Sequence, residues 1–333
     1  IIFDYWCLAL SYGFDNVFTT KIKSYTTRSN TAKNLYVFSF IFNNYLGSIS
    51  IWSSYLLDNK QCINYGSTSC DHETDQSKNY LELMDLKKIL PENGPPIDQV
   101  SKYIEKYKND LIVIKYGGNV FIDRNIFNNF IEDISVLNKL GLSIVVIHGG
   151  GPRIKRELDK SNIQSKFIKG LRVTDEKIIN IVEDVLIDFN KDIVNSLKEK
   201  NTEAVSIHTK KNNVIEIVQE SKELGFVGKP NKINNDIINN ILEKNLVPII
   251  SPLGLKDNQS YNINGDTAAG AIAKSLKARR LILMTNIEGV LDKNKKLIEE
   301  VTSSEILKMI EDQTITEGMI PKINTCLDAV NNG

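Results

Sequence analysis

The sequence predicts an α/β fold, a three-layer αβα sandwich around a mostly parallel central sheet. Three observations predict it. Residues 111–114 and 144–147 are continuous apolar runs rich in Ile and Val, as strands buried on both faces are. Each run closes on a glycine cluster, Lys115-Tyr116-Gly117-Gly118 and His148-Gly149-Gly150-Gly151-Pro152. Between them, residues 125–140 carry Ile126, Phe130, Ile134 and Leu137 at helical spacing. Strand, helix, strand in this order brings both glycine turns to the carboxyl edge of one sheet, where open α/β folds bind ligands.

The remaining elements follow the same alternation. Residues 153–160 read as a helix. Gly170-Leu171-Arg172-Val173-Thr174-Asp175 is a loop, with Thr174 or Asp175 placed to cap a long helix ending near residue 200. Residues 204–207 and 214–218 are strand candidates, 233–244 a helix and 247–250 another buried strand. Asp266 stands as an N-cap before the Ala-rich run 267–276. Residues 281–284 form a strand with a turn at Glu288-Gly289, and helices over 304–311 and 319–330 finish the chain. Short links between alternating strands and helices mean a layered, mostly parallel sheet. No closing strand follows the last helix, so the carboxyl end is expected to be incomplete.

The first 83 residues differ in kind. Both tryptophans (Trp6, Trp52) and Cys7, Cys62 and Cys70 lie there, every proline lies after residue 90, and the first methionine is Met84. This stretch shows neither helical nor strand periodicity. It is expected to be a leader foreign to the fold, disordered or spurious. Its poverty in acids also suits a transit peptide, and the uncharged run 34–57 is long enough to span a bilayer, though Asn43-Asn44 and the serines weigh against a span. The cluster Pro91-Glu92-Asn93-Gly94-Pro95-Pro96 breaks the chain, and residues 97–107 read as a short amphipathic helix. The expected division is thus a leader (1–83), a linker with helix (84–110) and one main domain (111–333), the last split into lobes at 111–278 and 279–333.

Lys+Arg and Asp+Glu both number 41, so no global field favours nucleic acid or an anionic membrane. The cysteines lack paired metal spacing, and Cys326, in a helical run, reads as a small buried hydrophobe. The residue chemistry instead suits anions. Glycine turns let backbone N–H groups approach anionic oxygens, and a following helix N-terminus adds partial positive charge. Lys115, directly after a buried strand, adds a full one. Arg172 in its glycine-led loop suits the bidentate fork that arginine makes with a carboxylate. Asn262 offers an amide donor and acceptor, or is a turn asparagine. His148 reads as a structural strand-end residue, and His72 and His208 carry no partner pattern.

With these motifs in order, the chain resembles the acetylglutamate kinases of the amino acid kinase family. The resemblance rests on Lys115–Gly118, His148–Pro152, Gly170–Asp175, Asn262-Ile263-Asn264-Gly265-Asp266-Thr267-Ala268-Ala269 and Gly318-Met319-Ile320-Pro321-Lys322, over roughly residues 97–333. It implies transfer of the ATP γ-phosphoryl group to the side-chain carboxylate of N-acetyl-L-glutamate, in arginine biosynthesis, with Mg2+ carried by ATP. It implies that Lys115 and Lys322 stabilise the transition state and that Asp266 holds them in register. It assigns Gly150, Gly151, Gly170, Arg172 and Asn262 to acetylglutamate, and Gly117, Gly118, Asn286, Gly289, Leu291 and Thr316 to the nucleotide. Asn286 stands where the family usually has aspartate, and Gly265 where it usually has alanine. A homodimer or hexamer, arginine as feedback inhibitor and a cytoplasmic enzyme with no nucleic-acid or membrane partner complete the expectation. The other readings are a kinase for carrier-linked aminoadipate or glutamate, and a catalytically weak regulatory domain.

Overall fold

The computed structural model describes residues 17–25, 32–40, 50–55, 104–105, 107–108, 110–117, 124–285, 290–298, 300–315 and 319–332. The central sheet is built from β4 (Leu111–Tyr116), β5 (Ser143–His148), β8 (Ala204–Ile207), β11 (Val247–Ile250) and β14 (Arg280–Thr285). In space they run β14-β4-β5-β11-β8, every neighbouring pair parallel. Helices α1 (Arg124–Lys139), α2 (Gly151–Lys160), α3 (Glu176–Glu199), α4 (Asn235–Leu242), α5 (Gly265–Ser275), α6 (Ser303–Glu311) and α7 (Ile320–Asn332) complete the layers. The sandwich with a mostly parallel sheet is therefore the observed architecture.

Strand alternation decides which side chain meets which layer. Ile112, Ile114 and Tyr116 of β4 pack with Ile144 and Val146 against Phe130 of α1 and Phe189 of α3. Val113 points the other way, into a core with Val145, Ile147, Leu281, Leu283 and Ala268, Ala269 and Ile272 of α5. Lys115 shares the parity of Val113, so β4 delivers it to the α5 layer. His148 shares the parity of Val146 and is delivered to the α3 layer.

A second sheet, β10-β9-β12-β13, comprises β9 (Ile215–Gln219), β10 (Gly228–Ile233), β12 (Leu253–Lys256) and β13 (Gln259–Asn262). A two-residue hairpin pairs β6 (Phe167–Ile168) with β7 (Leu171–Arg172). The sequence predicted neither β10, β12 and β13 nor this hairpin. Ile233 was expected to open a helix, but it pairs with Ile215 and closes β10.

The leader carries three described strands. Residues β1 (Val17–Tyr25) and β2 (Ala32–Phe40) pair antiparallel, β1 runs parallel to β15 (Glu300–Thr302), and β3 (Ser50–Tyr55) pairs antiparallel with β14 at the outer edge. These stretches are rich in β-branched and aromatic residues without clean alternation, and the β15 and β14 partners of β1 and β3 lie far along the chain. Of the helix expected at 97–107, residues 104, 105 and 107 are described as helical, and the rest lies outside the described residues.

Candidate active site

Lys115, Asp266 and Lys322 come together at the carboxyl edge of the sheet. Lys115 Nζ lies 2.8 Å from one carboxylate oxygen of Asp266, and Lys322 Nζ lies 2.6 Å from the other. Lys115 is 6% exposed and Asp266 5%. The lysine stem crosses over Gly117, where a Cβ would stand 2.0 Å from its Nζ, so a side chain there would displace the ammonium from this position.

Asp266 reaches the lysines because another residue caps its helix. The N-cap of α5 is Asn264, whose Oδ1 accepts from the backbone N–H of Asp266 at 2.9 Å and of Thr267 at 3.1 Å. Asp266 was expected to cap; it sits one position inside the first turn, and its carboxylate is left wholly to the two ammonium groups. Burial by itself would raise the Asp266 pKa, but the charges of Lys115 and Lys322 win and hold the carboxyl well below its usual range. Burial lowers the pKa of Lys115, with Asp266 opposing and Lys322 adding to the effect. Two cations on one anion leave a net positive centre at the N-terminal ends of α5 and α7, both of which add partial positive charge. Each ammonium has three donors, so both can still reach an anionic ligand.

The glycine turn after β5 lies against this cluster. Gly149 N–H donates to the Tyr116 carbonyl at 2.6 Å, and a Cβ on Gly265 would meet Gly149 Cα at 3.9 Å and Lys115 Cε at 3.3 Å. Gly150 caps α2, and a Cβ there would strike Leu186 Cδ2 at 2.5 Å. A Cβ on Gly151 would meet nothing within 4 Å, so that glycine leaves open space beside the helix N-terminus. His148 is fully buried. Its Nδ1 bonds the Gly149 carbonyl at 2.9 Å, and its Nε2 lies 3.1 Å from Ser251 Oγ and 3.2 Å from Asn190 Nδ2. Burial pushes its pKa down to about 4, so the ring is neutral, with Nδ1 donating to the carbonyl and Nε2 accepting. Asn190 also donates to the Ile249 carbonyl and accepts from Ser206 Oγ. This network ties α3 to the ends of β5, β8 and β11 beneath the glycine turn, and sequence reasoning missed it.

A third group gathers at β7 and β13. Arg172 is 9% exposed, lies over the Phe167 ring at 4.7 Å and donates to Ser165 Oγ. Burial lowers its pKa, with the charge of Asp159 opposing. Thr174 Oγ1 donates to the Arg172 carbonyl at 2.9 Å and accepts from Asn262 Nδ2 at 3.4 Å, so one hydroxyl connects the two predicted carboxylate- or amide-binding residues. Gly170 has φ +78°, which the hairpin turn requires. Asp175, not Thr174, caps α3 by accepting from Ile178 N–H at 2.9 Å.

Of the residues expected at the nucleotide, Gly118, Asn286, Gly289 and Thr316 lie outside the described residues. Leu291 forms an isolated bridge with Leu297. Cys326 is a buried free thiol with its pKa pushed up to about 12 by burial.

The class follows from comparison with known proteins. The sequence profile of the amino acid kinase family matches residues 110–333. An acetylglutamate kinase of Pelagibacter ubique is 53% identical over 254 residues, 76% of this chain and 88% of that one. One of Methylobacterium nodulans is 40% identical over 250 residues, 71% of this chain and 82% of the other. A crystal structure from Streptococcus mutans superposes with a TM-score of 0.61 at 33% identity, covering 67% of this chain and 91% of that one. An N-acetylglutamate synthase of Neisseria gonorrhoeae, at 20% identity and a TM-score of 0.63, shares the fold. The chain belongs to the amino acid kinase family and, within it, to the acetylglutamate kinases.

Proposed function

We propose that the chain transfers the γ-phosphoryl group of ATP to the side-chain carboxylate of N-acetyl-L-glutamate, giving N-acetyl-L-glutamyl 5-phosphate and ADP in arginine biosynthesis. The observation that carries this reading is the buried carboxylate of Asp266 bridging two lysines from distant parts of the chain, in a protein whose relatives are acetylglutamate kinases.

The chemistry follows from the charges. The acceptor carboxylate is ionised at neutral pH, so no general base is required. A new P–O bond forms to that carboxylate while the bond from γ-phosphorus to the bridging oxygen breaks, and ADP leaves with the electron pair. Negative charge spreads over the equatorial oxygens and the leaving oxygen, where fixed cations lower the barrier. Lys115 serves from the β4 side and Lys322 from the α7 side, while Asp266 keeps the two ammonium groups at fixed positions. The N–H groups around Gly117, Gly118, Gly150 and Gly151 cradle anionic oxygens. Arg172 takes the α-carboxylate, and Asn262 with the Gly170 loop holds the acetamido end. Asn286, Gly289, Leu291 and Thr316 belong to the nucleotide site in the 279–333 lobe, acetylglutamate to the 111–278 lobe. Both Asp266 oxygens are committed to lysines, so the site fits a magnesium ion that enters as part of the nucleotide, held by phosphates and water.

Assembly as a homodimer or hexamer, arginine as feedback inhibitor and a cytoplasmic setting belong to the same proposal; no helix among the described residues is long and apolar enough to cross a membrane. The leader 1–83 is proposed to lie outside the catalytic unit. The test is a hydroxylamine trap: with ATP, Mg2+ and acetylglutamate the chain should yield the hydroxamate. A folded chain giving none overturns the reading.

A further inference from the structure

Gly270 lies one turn beyond Asp266 on α5, and Thr325 lies one turn beyond Lys322 on α7. The two helices run in the same direction side by side. Asp266 meets Lys322 at 2.6 Å, and two turns further on Lys274 meets Asp328 at 3.4 Å. Between these ion pairs, a Cβ on Gly270 would stand 2.5 Å from Thr325 Cγ2, with Thr325 Cβ next at 3.6 Å. Carbon atoms settle at about 3.5–4.0 Å, so a methyl group on residue 270 would force the helices apart by about 1 Å at this rung. Thr325 is buried and β-branched, so its side chain has few positions to turn to. Local propensity does not ask for glycine here. The run Thr267-Ala268-Ala269-Gly270-Ala271-Ile272-Ala273 is otherwise rich in alanine, and glycine weakens a helix interior relative to alanine. Close approach does ask for it.

We propose that Gly270 is a positioning residue for phosphoryl transfer: by letting α7 lie against α5 it sets the distance at which the Lys322 ammonium engages Asp266 beside the migrating phosphoryl group. This rests on the role of Lys322 given above. Arg172 and Asn262 stand on other elements, so acetylglutamate binding is independent of the spacing.

The test is steady-state turnover by the hydroxamate assay for the full chain, Gly270→Ala, Thr325→Ser and the double variant. Misplacing a catalytic group by about 1 Å costs up to about 100-fold, so Gly270→Ala is expected to lose roughly 10- to 100-fold in kcat with KM for acetylglutamate held. Thr325→Ser removes the methyl group in the way, so the double variant should regain most of the lost kcat, and Thr325→Ser alone should turn over like the parent. A Gly270→Ala chain with parental kcat overturns the inference alone. So does a kcat loss that Thr325→Ser leaves unrestored, or a loss carried by KM for acetylglutamate. If Gly270→Ala does not fold, the double variant decides: folded and active supports the spacing role, unfolded or inactive overturns it. A parent chain that forms no acyl phosphate overturns the proposed function, and this inference with it.

Discussion

At the scale of single residues, the site is a problem in buried charge. Lys115 and Asp266 are both removed from water; Lys115 is tolerable because Asp266 is within ion-pair distance, and Asp266 because two ammonium groups are. Replacing Lys115 by alanine deletes one of the two cations proposed to face the transferring group. Turnover is expected to fall by about two to three orders of magnitude. The fold should persist, because Lys322 still pairs with Asp266. Hydroxamate formation and a melting curve check both halves, and parental turnover in the variant would remove the role. His148 gives a second expectation, in stability. Its pKa in the folded chain is about 4 against an ordinary 6.5, so as pH falls the unfolded chain takes the proton first. Its contribution is therefore complete above pH 6.5 and drains away between 6.5 and 4, by about 3 kcal/mol in all. Asp266 adds no pH dependence in that window. Its depressed pKa makes its share fully present above the ordinary carboxylate value and lost progressively as pH falls below it. Urea unfolding at pH 7.5 and pH 5 should show the loss, and His148→Gln should flatten the dependence; an unchanged slope in that variant would show that His148 is not its source.

At the scale of elements, helix ends carry the proposed chemistry, and their caps are part of it. Asn264 holds the first turn of α5 through two backbone N–H groups, and Asp266 sits in that turn. Asn264→Ala is expected to cost about 1 kcal/mol of stability. Its kcat should drop as Asp266 loosens, while Asn264→Asp should keep the cap and the stability; denaturant midpoints and turnover of the two variants separate these outcomes. The same helix shows what could be read from the sequence and what could not. The strands β4, β5, β11 and β14 were legible because strands buried on both faces are continuous runs of Ile, Val and Leu. The lysines and Asp266 were legible because glycine turns and a motif order surround them. The cap was misread because Asn264 and Asp266 are both good capping residues two positions apart, and only the backbone decides between them. Strand β10 (Gly228–Ile233), with its Gly, Pro, Asn and two lysines, carries no strand pattern and owes its form to pairing with β9. Asn190 in the middle of α3 looked like any polar helix residue. Its partners, His148, Ser206, Ile249 and Ser251, come from three different strand ends, so only the folded chain identifies it.

At the scale of the whole molecule, the question is how much of the chain the candidate site needs. The family profile begins at residue 110, and among the residues whose burial is described the two principal cores are built from residue 107 onward. The described contribution of the first 83 residues is strand pairing, β3 on β14 and β1 on β15, with these strands and β2 also lying against α6 and α7. The residues proposed for acetylglutamate stand elsewhere: Gly150 and Gly151 follow β5, Arg172 lies on β7, and Asn262 ends β13. A chain of residues 84–333 is therefore expected to bind acetylglutamate with the affinity of the full chain, measured by titration calorimetry. Removing β3 would also uncover the backbone N–H and C=O groups along the outer side of β14, and an unpaired edge invites association with other chains. Light scattering should accordingly show more self-association in the shortened chain at equal concentration. Binding that survives together with raised association assigns the leader to edge protection; binding that is lost assigns it to the fold itself and removes the division at residue 84.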